Sequence, residues 1–258
     1  MTRKPIIAGN WKMNGTLSEA KTLAQAVAKG AASRQEIEVV LCPPFTALSA
    51  VAEVLRGSPI LLGAQDCYFE ARGAYTGEIS PALLLDAGCR FCIVGHSERR
   101  QLLGEADSLI HKKLLALLKE GLSAILCVGE TLEQRKAGKT WHVVEGQLQA
   151  ALESVDAVVA NKSLVIAYEP VWAIGTGVNA TPHQAQEAHH FIREWLSKRF
   201  GAAAASSIRI QYGGSVKQEN AASLLSQPDV DGALVGGASV SATGFFELAQ
   251  VAVGVLSG

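Results

Sequence analysis

Eight times along the chain, a short run rich in Ile, Val, Leu or Ala is followed by a longer stretch whose apolar residues carry helical spacing. The runs are residues 5–11, 37–42, 60–64, 91–95, 122–128, 163–168, 208–212 and 232–235. They are apolar almost throughout rather than alternating, as strands covered on both faces are. Between them, Ile110, Leu114, Leu117 and Leu118 follow the i, i+4, i+7, i+8 rule, with His111, Lys112, Lys113 and Lys119 assigned to the opposite side. Ala185, Ala188, Ile192 and Leu196 repeat the pattern. A strand–helix–strand repeat demands a parallel sheet. Eight such units in 258 residues, with no linker or low-complexity segment, predict an α/β chain closed into a (β/α)8 barrel, a single domain over residues 1–258. An open doubly wound sheet, with about five or six strands, is the alternative.

Composition narrows the function classes. Twenty-three basic and 24 acidic residues leave a net charge of -1, with no global footprint for nucleic acid or an acidic membrane surface. No apolar run approaches the roughly 18 residues of a membrane helix. The basic start is followed by an apolar stretch too short for a signal peptide, interrupted by Asn10, Trp11 and Lys12. The five cysteines (Cys42, Cys67, Cys89, Cys92, Cys127) are odd in number and lack a disulfide-framework spacing. Cys89-Arg90-Phe91-Cys92 has no second ligand pair, and Cys92 falls within a strand run, so buried thiols are expected. A reducing cytoplasm is the expected setting, where the acceptor sequence Asn161-Lys162-Ser163 is irrelevant. No metal is expected, because no histidine or carboxylate cluster has ligand spacing.

In such a barrel the C-terminal strand ends converge on the face that carries the site. The first run ends in Asn10-Trp11-Lys12 and the fourth in Gly95-His96-Ser97-Glu98-Arg99-Arg100. The fifth ends in Gly129-Glu130 and the sixth in Glu169. The last two end in Gly213-Gly214-Ser215 and Gly236-Gly237-Ala238-Ser239. An amide, an ammonium, an imidazole and a carboxylate would then share one space beside two glycine turns. Glycine lets backbone N–H groups approach an anion closely, and a following helix points its positive end there. Paired turns after strands seven and eight predict a phosphate cradle; taken singly, each glycine pair is equally a tight strand–helix turn. His96, facing a helix start, is expected as a neutral hydrogen-bond donor, since positive dipole ends disfavour its protonation. His111, His142, His183, His189 and His190 are read as surface or packing residues. Two phosphate signals are decoys. Gly138-Lys139-Thr140 lacks the earlier glycine of a Walker loop, position 133 being Glu, and falls in a helical region. Gly175-Thr176-Gly177-Val178-Asn179-Ala180 spells a dinucleotide pattern but lies six residues past its strand, in the sixth unit rather than the first.

Ala8-Gly9-Asn10-Trp11-Lys12-Met13-Asn14-Gly15, the block from Gly95 to Arg100, Ala167-Tyr168-Glu169-Pro170-Val171-Trp172-Ala173-Ile174-Gly175-Thr176-Gly177, Tyr212-Gly213-Gly214-Ser215-Val216 and Val235-Gly236-Gly237-Ala238-Ser239 together resemble the triosephosphate isomerase family. The likeness runs from residue 5 to about residue 240, in the family's order and spacing. It implies a (β/α)8 TIM barrel that interconverts dihydroxyacetone phosphate and D-glyceraldehyde 3-phosphate without a cofactor. It further implies Glu169 as the base, His96 as the electrophile, Lys12 as a positive charge for enediolate and phosphate, Asn10 as an added donor, and Glu98 as the buried partner of Lys12. Phosphate would be held by N–H groups of Gly175, Ser215, Gly236 and Gly237. Pro170, Val171, Trp172, Ala173, Ile174, Gly175 and Thr176 would form a lid, hinged at Pro170 and at the glycines, whose apolar side covers the base. The family is itself a standard example of pKa tuning and lid closure. Gly73-Ala74-Tyr75-Thr76-Gly77-Glu78-Ile79-Ser80 resembles the family's interdigitating loop, implying a homodimer in which Thr76 reaches the neighbouring site; Glu78 belongs to the same loop. Two positions depart from the family pattern. Asp66 stands where Asn is more usual, and the tail from Val240 is longer.

The residue types suit that chemistry. Taking a proton from carbon needs a carboxylate made more basic by a dry setting. The oxyanion that develops needs preorganised donors, which Lys12 and His96 supply. An enediolate phosphate eliminates its phosphate when wetted, so a lid that excludes water serves the reaction.

Overall fold

The computed structural model describes residues 3–31, 36–174 and 179–256. Eight parallel strands close a barrel in sequence order: β1 (Ile6–Asn10), β2 (Glu38–Cys42), β3 (Leu61–Ala64), β4 (Phe91–Val94), β5 (Ser123–Val128), β6 (Leu164–Tyr168), β7 (Arg209–Tyr212) and β8 (Gly232–Val235). Each lies inside its predicted run and differs from it by no more than one residue at either end. Closure is carried by β1, which pairs with β2 on one side (Ile6 beside Glu38) and β8 on the other (Ile6 beside Gly232).

Alternation is present, although the sequence hides it. Ile6, Ala8, Val40, Cys42, Phe91, Ile93, Ile125, Cys127, Val165, Ala167 and Leu234 form a buried cluster of strand residues that fills the barrel interior. Their neighbours Ile7, Val39, Leu41, Val94, Leu126, Ile166 and Ile210 point outward into the layer shared with the helices. Both faces are dry, so both sets are apolar. All five cysteines are free and buried, as expected.

The opposite end of the barrel is closed by polar contacts. Arg209 of β7 meets Glu38 of β2 at 2.6 Å, and Gln211, fully buried, donates to the carbonyls of Ile6 and Ala233. Arg193, on the helix Pro182–Phe200, pairs with Asp231.

Two expectations change. Lys113, assigned to the polar side of its helix Asp107–Lys119, is 2% exposed. Its ammonium lies 2.8 Å from both oxygens of Asp66 and also pairs with Glu105, while Arg99 bridges the same two carboxylates at 2.9 and 2.7 Å. Asp66 supplies the charge that makes burying Lys113 tolerable, since a buried ion needs a partner. Gly138 is not within a helix. With φ +68 it turns the chain between the helices Leu132–Lys136 and Thr140–Leu152. The tail from Val240 forms the helix Ala242–Leu256. No helix among the described residues is long and apolar enough to cross a membrane.

Candidate active site

A cleft of about 540 Å³ opens at the C-terminal ends of the strands. Asn10, Lys12, His96, Glu169, Ser215, Gly236 and Gly237 all line it, so the barrel brings together residues spread over more than 200 positions.

Lys12 enters the cleft because its backbone turns the wrong way for an L residue: φ is +53, the sole positive value at a non-glycine among the described residues. Such a conformation costs roughly 1–2 kcal/mol. Its neighbours hold it there. The Lys12 N–H donates to Asn10 Oδ1 at 3.0 Å, and Gln65 Nε2 donates to the Lys12 carbonyl at 2.8 Å and to that of Cys42 at 2.9 Å. The ammonium sits 2.6 Å from Glu98 Oε1. Glu98 is not the buried partner expected: its side chain is 43% exposed, on the first turn of the short helix Ser97–Leu102.

His96 caps that helix. Its Nδ1 accepts the Glu98 N–H at 3.2 Å, which assigns the proton of a neutral ring to Nε2. Nε2 is 2.9 Å from Glu169 Oε1. Glu169, 2% exposed, takes a second donor at Oε2, the Ser97 N–H at 2.8 Å. Burial pushes the Glu169 carboxyl up, but His96, the Ser97 N–H and Lys12 together bring it below the usual carboxylate value. For His96, burial pulls the imidazole down, and the Glu169 carboxylate against Nε2, with Glu98, lifts it above its ordinary value. This reverses the expectation of an imidazole depressed by the helix start. The helix contact exists at Nδ1, but a buried carboxylate in contact outweighs a single backbone N–H.

Glycines make room for the carboxylate. A Cβ on Gly213 would stand 2.8 Å from Glu169 Cγ and 3.1 Å from the Tyr168 carbonyl. Gly236 brings the second glycine turn against Lys12, since a Cβ there would lie 3.2 Å from Lys12 Cε. The ammonium and the anion cradle are thus adjacent. At Ser215 the donors are occupied: its N–H and hydroxyl both donate to the Ala173 carbonyl, at 3.2 and 2.9 Å.

The segment after Glu169 forms a 3-10 turn, Val171–Ala173, with Ala173 buried and Ile174 on the cleft wall. Trp172 is not over the base. Its indole N–H donates to Glu130 Oε1 at 2.9 Å, and the Arg135 guanidinium stacks on its ring at 4.5 Å. Glu130, fully buried, also accepts from the Tyr168 hydroxyl at 3.0 Å and pairs with Arg135 at 2.9 Å. In the sequence Glu130 is marked only as the end of the fifth run, with nothing that assigns it to the site. Its signal was position, because Val128 and Tyr168 are in register and place Glu130 beside the start of the lid. Ser97 and Gln65 were likewise missed, since each acts through a contact with a distant element. Gly175 and Thr176 lie outside the described residues. Thr76 and Glu78 are exposed on a loop away from the cleft, in which Tyr68 and Tyr75 pack at 4.8 Å.

The family model described as triosephosphate isomerase matches residues 5–252. The chain belongs to the triosephosphate isomerase family. Among curated triosephosphate isomerases, that of Syntrophotalea carbinolica is 53% identical over 248 residues, covering 96% of this chain and 98% of the relative. That of Chloroflexus aurantiacus is 52% identical over 247 residues, with 95% and 98% covered. That of Moorella thermoacetica is 54% identical over 243 residues, with 94% and 96% covered. The triosephosphate isomerase match ends at residue 252, so it takes in most of the last helix.

Proposed function

We propose that the chain interconverts dihydroxyacetone phosphate and D-glyceraldehyde 3-phosphate by shuttling a proton between adjacent carbons through an enediolate, without a cofactor. One observation carries the reading: a buried carboxylate, Glu169, touches His96 in a cleft whose other wall is two glycine turns and an ammonium.

Glu169 is the base. Both its oxygens are bonded here, to His96 and Ser97, so it turns from Ser97 towards the substrate carbon before it acts. That movement takes the carboxylate from the contact that lowers its pKa, and its basicity rises as the site dries. The same movement removes the carboxylate that lifts His96, leaving the Glu98 N–H at Nδ1 and a neutral ring whose Nε2–H polarises the carbonyl. Lys12 adds positive charge to the oxyanion, held by Glu98 at one side and by its left-handed backbone at the other. Asn10 accepts the Lys12 N–H through Oδ1, which leaves its amide hydrogens for the substrate oxygen. The phosphate takes N–H groups from Gly175, Ser215, Gly236 and Gly237. To reach Ser215 it displaces the Ala173 carbonyl, which links phosphate binding to release of the lid, residues 170–176. Trp172 leaves Glu130 in the same motion.

The chain further acts as a homodimer through the loop at 73–80, with Thr76 and Glu78 exposed as a docking segment, and residues 1–258 make one domain working in the cytoplasm. Five free thiols suit a reducing compartment. Light scattering of the parent and of a chain shortened at 73–78 checks the dimer.

A coupled assay starting from glyceraldehyde 3-phosphate tests the activity. Glu169→Asp, which draws the carboxylate back from the substrate carbon by about one methylene, lowers kcat roughly a hundred-fold or more. Undiminished turnover in that variant refutes the assignment of the base.

A further inference from the structure

We infer that Lys217 is a specificity-determining residue, whose ammonium at the rim of the cleft faces the phosphate and supplies a cation that the glycine turns lack. The inference rests on the triose phosphate reading above. The charged side chains lining the cleft are Lys12, Glu169 and Lys217. The two inner ones are engaged: Lys12 lies 2.6 Å from Glu98, and Glu169 is bonded to His96. Lys217 is exposed and takes part in no ion pair among the described residues.

Its place is fixed relative to the cradle. Lys217 follows Ser215 by two residues, and the Lys217 N–H donates to Asn220 Oδ1 at 2.8 Å while Asn220 Nδ2 donates to the Ser215 carbonyl at 3.1 Å. One asparagine therefore ties the lysine to the turn that offers the Ser215 N–H. Helix stability does not account for a lysine here. It immediately precedes the helix Gln218–Leu225, where a cation opposes the dipole of that helix. Chemistry does account for it. A phosphate monoester carries about −1.5 to −2 charge at pH 7; the backbone N–H groups answer it with partial charges, and the ammonium beside the cradle, Lys12, is already paired with Glu98. An exposed cation at the mouth raises the encounter rate and the affinity for a dianion, and salt screens that gain.

The test compares Lys217→Gln, Lys217→Glu and Lys217→Arg with the parent enzyme, with Lys198→Gln, a lysine in the last turn of the helix Pro182–Phe200, as the remote control. kcat/KM is measured from about 10 mM to about 300 mM salt, where screening becomes strong. The substrates are glyceraldehyde 3-phosphate and unphosphorylated glyceraldehyde, and inhibition by inorganic phosphate is measured in parallel. Lys217→Gln should lower kcat/KM for the phosphorylated substrate roughly three- to ten-fold at low salt, mainly through KM. The loss should shrink at high salt, and the preference for phosphorylated over unphosphorylated substrate should fall by a similar factor. Lys217→Glu should lose more, with phosphate inhibition weakened in step, and Lys217→Arg should restore the parent's salt slope. A parent-like salt slope in both the Gln and Glu variants, or equal losses on the two substrates, overturns the inference. A parent enzyme inactive on glyceraldehyde 3-phosphate instead overturns the proposed function, so the two failures are told apart.

Discussion

Ser97→Pro removes a hydrogen bond at the carboxylate proposed as the base. The Ser97 N–H donates to Glu169 Oε2 at 2.8 Å, and proline removes that hydrogen and sets its ring Cδ in the same direction, which moves the carboxylate oxygen off the contact. The helix start itself accepts proline. Ser97 is the first residue of its helix, where proline's fixed φ suits and no intrahelical bond is lost. Proline also demands an extended residue before it, and His96 already has φ −53 and ψ 140. What changes is the charge state of the base. A hydrogen bond to a charged group contributes about 1.5–3 kcal/mol. Its loss raises the Glu169 carboxyl, because the charged form loses a donor that the neutral form does not need. The Ser97 N–H is one of the contacts holding that carboxyl below its usual value, so the sign is upward. The base must be ionised to act, and the acidic limb of kcat/KM reports its titration in the free enzyme, shared with its partner His96. That limb should move to higher pH in Ser97→Pro, with the melting temperature lowered by several degrees because the same bond supports the fold. Ser97→Ala keeps the N–H, so its limb should coincide with the parent's. An unmoved limb in a folded Ser97→Pro enzyme would refute the claim that this N–H sets the basicity of Glu169.

Two further perturbations probe the scaffold of the site. Asp66 is pushed up to about 6, burial raising it more than Lys113, on the other side, lowers it. A carboxyl raised above its unfolded value contributes stability that is present at low pH and lost as pH rises through the folded value. Asp66→Asn lacks this term, so its stability relative to the parent should climb between about pH 4 and pH 6, read from urea melts along that range; a pH-independent difference contradicts the assignment. Gly213→Ala places a methyl group 2.8 Å from Glu169 Cγ. Displacing the carboxylate by roughly 1 Å should cost about a hundred-fold in kcat, with inhibition by a phosphate analogue little altered, and near-parent turnover would show that the carboxylate has room to spare.

The barrel and the convergence of Asn10, Lys12, His96 and Glu169 on one cleft were readable because both are encoded locally. A strand buried on two faces announces itself within five or six residues, and closed topology sends every strand end to one face. Asn10 ends the first strand, and Lys12, His96 and Glu169 are each the first polar residue after a run, so their convergence follows from connectivity alone. What holds them is encoded at a distance. Ser97 and Glu169 are 72 positions apart, Lys12 and Glu98 are 86 apart, and Trp172 and Glu130 are 42 apart. No periodicity within one element reports such pairs. The same limit explains Lys113, whose polar character placed it on the solvent side until Asp66 and Glu105, from other segments, supplied its partners. It also explains the reversed shift of His96. The helix start that depresses an imidazole lies two residues away and is visible in sequence, whereas the Glu169 carboxylate that lifts it arrives from β6. Local chemistry therefore names which groups titrate, while the direction in which each is moved belongs to the assembled barrel. In the proposed reaction that direction reverses when Glu169 turns from Ser97 to the substrate, so the contact between His96 and Glu169 is the resting arrangement of the proposed proton-transfer pair rather than its working geometry.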